Sequence, residues 1–208
     1  MKNDRNIRYK LRKLQHLPIW QLCIVLILVG FVAATFLRIN NNEMVERRTA
    51  VALADKTGDE TSIRNNLYSL QRHAAAHMNA GSGLIYLEHS YNRDTQKALQ
   101  LAQVGPGAGN DVLAKADATC KQHYSGYSQA YVHCVAAEQA KYPAAANATQ
   151  FVAPNSELYR HEFYSPAWSP DFAGWTVVIF IIIASIILYR ITEVAILKLM
   201  LKKYYSSI

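Results

Sequence analysis

The chain has 208 residues, 51% of them hydrophobic, which leaves room for one modest domain beside whatever a membrane would take. Its formal net charge is +7, but residues 1–18 carry +5, residues 190–208 carry +3 and residues 38–172 carry −1. An excess confined to the two ends argues against a basic recognition face, so no nucleic acid is expected among the partners.

From Ile19 to Leu37 the sequence reads IWQLCIVLILVGFVAATFL, without a charge. A hydrocarbon core about 30 Å thick needs about 20 helical residues, so residues 19–37 predict a first transmembrane helix. Small residues at Val32-Ala33-Ala34 resemble a cleavage site, but the apolar run continues through Phe36 and Leu37, which favours an uncleaved anchor. A second uncharged run, AGWTVVIFIIIASIILY, predicts a span over 173–191 once its flank is included. Basic flanks mark cytoplasmic ends, so both termini are expected inside and residues 38–172 outside. About 18 residues at each end would then lie in the cytoplasm, with 192–208 a basic amphipathic helix and Arg190 able to pair with Glu193 at the inner interface. Membrane lipids are the first expected partner. Gly30 and Ala34 in one span, and Ala184 and Ser185 in the other, would allow close helix crossing within the chain or with another subunit.

The outside segment is expected to be all-α and bundle-like over 38–142. Residues 40–56 extend the first helix outward, Thr57-Gly58-Asp59 interrupts it, and a helix restarts at Asp59 or Thr61 and runs to about Asn79. There Ile63, Leu67, Leu70, Ala74 and His77 recur at alternating steps of four and three, the spacing of a packing seam. NAGSG (79–83) reads as a turn. The following LIYLEHSYNRDTQKALQLAQ reads as a helix with Leu84, Leu87, Tyr91, Ala98 and Leu101 on its apolar side. GPGAG (105–109) is a linker, since it lacks the strand-then-helix setting of a phosphate loop.

Cys23 falls inside the first span, as a small apolar residue. Cys120 and Cys134 fall in the outside segment, where a disulfide persists. On one straight helix they would stand about 21 Å apart, out of bonding reach, so a bridge requires the chain to fold back, with Gly126 as the turning point. Residues 111–123 and 128–142 are therefore expected to form a stapled helical hairpin.

Residues 143–172 differ in kind. Four of the six prolines lie here among Tyr159, Phe163, Tyr164, Trp168 and Phe172, which predicts an extended strap rather than a long helix or a disordered tail. Trp168 and Trp175 would settle at headgroup level, or, with Phe163, Tyr164 and Phe172, form a partner-binding face. Asn147-Ala148-Thr149 matches a glycosylation sequon.

The chemistry-bearing candidates are few. His73 and His77 stand one helical turn apart, and a tight turn at NAGSG would return Glu88 and His89 alongside them, a conceivable metal site. No HExxH or GxSxG pattern occurs, and His123 and His133 read as surface residues. HMN (77–79), YLEHSYNRD (86–94) and SPAWSPDFAGW (165–175) read as signature-like stretches to which no function attaches. The plan of span, outside helices and span is similar to that of bacterial receptors with four-helix-bundle ectodomains, in layout alone and without their adaptor helices and signalling domain. Together these features point to a non-enzymatic interaction or scaffold subunit of a membrane complex, without a cofactor, whose partner is another membrane protein or a second copy. A ligand-sensing ectodomain that signals through a partner is the alternative, and a metal- or haem-binding membrane protein the next.

Overall fold

A computed structural model describes residues 19–104, 109–142 and 151–206. The basic N-terminus, most of GPGAG and the sequon lie outside these residues. In chain order the elements are α1 (Ile19–Thr57), α2 (Glu60–Ala76), β1 (Gly83–Tyr86), α3 (Glu88–Val104), α4 (Gly109–Lys121), α5 (Gln129–Gln139), a 3-10 turn (Ser156–Tyr159), β2 (Arg160–Phe163) and α6 (Phe172–Ser206). The molecule is mostly helical, and α1 and α6 are each long and apolar enough to cross a membrane. Two compact units divide it. One gathers the described residues up to 43 with 76–80 and those from 165 on; the other gathers 44–75 with 81–164.

In the first unit, α1 meets α6 at Gly30, where an added Cβ would come within 2.9 Å of the Phe180 ring. Above this crossing Phe36 and Phe172 stack with their ring centroids 5.6 Å apart. Of the small residues expected at a helix crossing, one, Gly30, lies at this contact. Gly30 and Ala184 are half-buried, but Ala34 and Ser185 are exposed and Ala33 is the buried alanine. Gly30 accommodates a bulky ring rather than another small residue, so the contact is a ring seated in a notch.

The second unit begins with the C-terminal part of α1, from Met44. Gly58, at φ +79°, ends that helix in a left-handed conformation that a glycine adopts without a Cβ clash. Asp59 then caps α2, its carboxylate accepting from the Thr61 and Ser62 amides at 3.0 and 3.2 Å. Packing of α2 on α1 is fixed by the Asn66 side chain, which donates to the Ala50 carbonyl at 3.2 Å.

The all-helical expectation is corrected by an antiparallel ribbon, in which Gly83 faces Phe163 and Tyr86 faces Arg160. Residues 84–87 were expected to open a helix, yet Leu84-Ile85-Tyr86 form a strand because a partner exists far along the chain. Ser82 locks the register: its amide donates to the Phe163 carbonyl and its hydroxyl accepts from the Phe163 amide, both at 2.9 Å. Arg48 donates to the Leu84 carbonyl at 3.2 Å and so occupies part of the outer edge of β1. The described part of the strap, 151–172, thus contains one regular strand, and Phe151 is buried in the core.

That core lies in the hairpin of α4 and α5 and in the end of α3. Leu99, Leu113, Ala116, Cys120, Tyr131 and Val135 pack with Phe151. The Cys120–Cys134 disulfide is formed, with a Cα–Cα distance of 5.9 Å, and Gly126 turns the chain at φ +88°. The buried Tyr131 ring brings its hydroxyl to the Asp117 carboxylate at 2.6 Å. Burial, reinforced by this hydrogen bond, pushes the phenol far above its usual range, while Tyr131 together with Lys121 holds the Asp117 carboxyl below its own despite the opposing effect of burial.

Candidate functional site

The histidine pair does not keep its helical register. Helix α2 stops at Ala76, so His77 lies beyond it, in the segment that joins the first unit. His73, expected to flank the packing face, is buried, and the face it shares is Ile63, Leu70 and Ala74. The seam of alternating threes and fours therefore ends one position early. Among the described residues no three His, Cys, Asp or Glu side chains are grouped as a metal site requires. His73, His77, Glu88 and His89 therefore form no such group, and the break after Ala76 takes His77 off the helix face of His73. The apolar side of α3 also differs from expectation: Leu87, Tyr91, Thr95 and Leu99 point inward while Leu101 is 77% exposed. Thr95, fully buried, concealed the four-residue step from a hydropathy count.

The signature-like stretches acquire structural roles. In the first unit HMN and SPAWSPDFAGW meet the Asn residues at the end of the apolar part of α1. Asp171 caps α6, its Oδ1 accepting from the Gly174 amide at 2.9 Å and from the Ser169 hydroxyl at 2.8 Å. Its Oδ2 accepts from the Asn40 side chain at 3.1 Å, and Asn40 also donates to the Met78 carbonyl at 3.2 Å. The Met78 amide donates to the Ser169 hydroxyl at 3.0 Å, and Asn79, at φ +60°, donates from its side chain to the Leu37 carbonyl at 3.1 Å. Burial favours a neutral Asp171, but the Gly174, Ser169 and Asn40 hydrogen bonds and the His77 charge outweigh it and hold the carboxyl below its usual range. A Cβ on Gly174 would collide with the Ser169 carbonyl, so the tight Ser-Pro-Asp turn requires glycine there.

This polar clasp presents a set of aromatics. Trp168 and Trp175 meet edge to face with centroids 5.8 Å apart, and both remain about half exposed. Phe172 is 77% exposed. In the second unit Tyr164 is 75% exposed, while Phe163 is half-buried beside His161. The five expected interface residues are thus divided between the units, three on one and two on the other.

YLEHSYNRD builds a different structure in the second unit. Asp55, buried near the end of α1, accepts from the His89 amide at 2.9 Å, the Ser90 amide at 2.8 Å and the Ser90 hydroxyl at 2.6 Å. It caps the start of α3 from another helix. Arg93 donates to the Asp55 carbonyl and to the Ser90 hydroxyl, both at 2.8 Å, and stands 3.7 Å from the Asp55 carboxylate. One turn on, Asp94 accepts from the Tyr159 hydroxyl at 2.8 Å, and burial together with that bond raises the Tyr159 phenol well above its usual range. Tyr159 closes edge to face on Tyr91.

Between the two helix starts lies a groove of about 340 Å³. Its α2 wall carries Glu60, Ile63, Arg64 and Leu67; its α3 wall carries Ser90, Arg93, Asp94 and Lys97, with Gly58 at the end. Each wall repeats at steps of three, one and three, which is a single face of a helix. The Gly58 break and the start of α2 are legible in the sequence, but the facing of this side of α3 to α2 is not, because the tie between them runs through Asp55.

No family model matches the chain, and no curated protein or solved structure matches it either.

Proposed function

We propose that the chain is a non-enzymatic interaction subunit of a membrane complex. Two spans anchor it, and the domain of residues 44–164, less the short loop 76–80, is displayed on the extracytoplasmic side. The observation that carries this reading is the set of aromatics held out from the clasp. Trp168, Phe172 and Trp175 sit on a backbone fixed by Asp171 and Gly174, yet keep large apolar surfaces exposed. Rigid, exposed aromatics supply contact area with little loss of conformational freedom, which suits a protein interface better than a passive anchor. The Cys120–Cys134 bridge supports an oxidising, extracytoplasmic location for the domain. The partner is another membrane protein or a second copy of the chain.

A photo-crosslinking residue placed in turn at Trp168, Phe172 and Trp175 in native membranes tests the reading. The expected result is a discrete protein adduct from at least two of the three positions. Adducts to lipid alone from all three would overturn it.

A further inference from the structure

The groove between α2 and α3 goes beyond an interaction role. At about 340 Å³ it lies near the lower end of the ~300–1,000 Å³ range of small-molecule sites. Two of its charges, Glu60 and Arg64, are not used up by the fold, whereas Lys97 pairs with Asp94 and Arg93 with the Asp55 carboxylate. Asp55 accepts three hydrogen bonds from the start of α3, and its carboxylate stays 3.7 Å from Arg93, so the guanidinium is positioned mainly by a neutral carbonyl and a neutral hydroxyl. Arg93 therefore keeps cationic character on the groove wall while being held still. Gly58 permits this: a Cβ there would stand 3.3 Å from the guanidinium carbon. Across the groove, Arg64 and Glu60 are exposed and make no hydrogen bond or ion pair to any described residue. Ile63 and Leu67 lie on the same face of α2, between and beyond them, and supply apolar surface.

We propose that this groove binds a small zwitterion, a carboxylate and an ammonium on a short apolar frame of amino-acid size. The carboxylate meets Arg93 and Arg64, the ammonium meets Glu60, and the apolar frame lies against Ile63 and Leu67. Glu60 and Asp94 line the same walls as Arg64, Arg93 and Lys97, and this mixed lining favours a ligand that carries both charges over a simple anion such as phosphate. A purely apolar ligand would leave the charged lining without partners.

The test uses the full chain in lipid nanodiscs, with leucine as the probe, read by calorimetry and by the shift in thermal midpoint. Leucinamide removes the carboxylate, N-acetylleucine removes the ammonium, and inorganic phosphate supplies an anion alone. The expected result is saturable binding of leucine only, weakened about tenfold by Arg64→Ala and by Glu60→Ala. Both substitutions are at exposed residues without internal partners, so the midpoint without ligand should stay unchanged. No binding of leucine, equal binding of either blocked form, preferential binding of phosphate, or unchanged leucine affinity in Arg64→Ala would each overturn the proposal.

Discussion

Two carboxylates tie helix beginnings in this protein, one in each unit. Asp171 serves its own helix, accepting from the amide three residues on. Asp55 serves a helix that begins more than thirty residues later, accepting from amides 34 and 35 positions away. Both also take a serine hydroxyl, from Ser169 and Ser90. A local cap needs only a turn to form, whereas a remote cap forms only when two helices have already packed. The remote one therefore reports on tertiary structure, and the local one chiefly on secondary structure.

Substitution separates the two most directly. Asp55→Ala leaves the His89 and Ser90 amides and the Ser90 hydroxyl without their acceptor and removes the carboxylate beside Arg93, and should cost about 3–5 kcal/mol. Hydrogen exchange is expected to show lost protection at the start of α3 and along α2, and unchanged protection at the start of α6. Replacing both Cys120 and Cys134 with alanine should cost about 3 kcal/mol in the second unit, from the loop-closure entropy of a 14-residue separation. That change lies outside both caps, so denaturant unfolding should shift while the exchange pattern around Asp55 in the folded state persists. Asp171→Ala should cost about 1–2 kcal/mol, and its exchange effects should stay within 76–80 and the first turn of α6.

The local cap also carries a pH signature. The folded-state carboxyl of Asp171 lies below its unfolded value, so its contribution is fully present above about pH 4 and fades as pH falls through the lower, folded value. Exchange at the Gly174 amide should accelerate in that acid range in the parent protein beyond the ordinary pH dependence of exchange, and Asp171→Ala should lack the added step. The smallest effect is expected at Gly58→Ala, about 1 kcal/mol from the left-handed backbone, read as a lowered midpoint in thermal unfolding. If its cost reached that of Asp55→Ala, the Arg93 position rather than the carboxylate would dominate the remote tie.

The same contrast between local and remote explains how far the sequence could be read. The two long apolar helices, the break at Gly58, the helix restart beyond it and the Cys120–Cys134 hairpin all follow from neighbours in the chain, and each is present. The ribbon was missed because Leu84-Ile85-Tyr86 has no alternation long enough to mark a strand, and its partner begins at Arg160. His77 was misplaced because nothing near Ala76 announces a helix end; the loop is held by Ser169 and Asn40, far away in sequence. The groove walls could each be written as a helix face, but their meeting depends on Asp55 reaching Ser90. What remained illegible was set by pairs of distant polar residues.

The clasp also fixes an order of events during synthesis. Its ties span 91 residues between Met78 and Ser169 and 131 between Asn40 and Asp171. None can form until the ribosome has delivered residues 169–171, by which time every element of the other unit has already been made. Within 76–80 the Met78 amide must therefore wait, served by water, until the chain leading into α6 arrives, although Asn40 and Asn41 can already reach the Met78 and Asn79 carbonyls. A nascent chain halted before residue 169 can complete its stapled domain yet leaves the clasp open, so the closed clasp records that translation has reached α6.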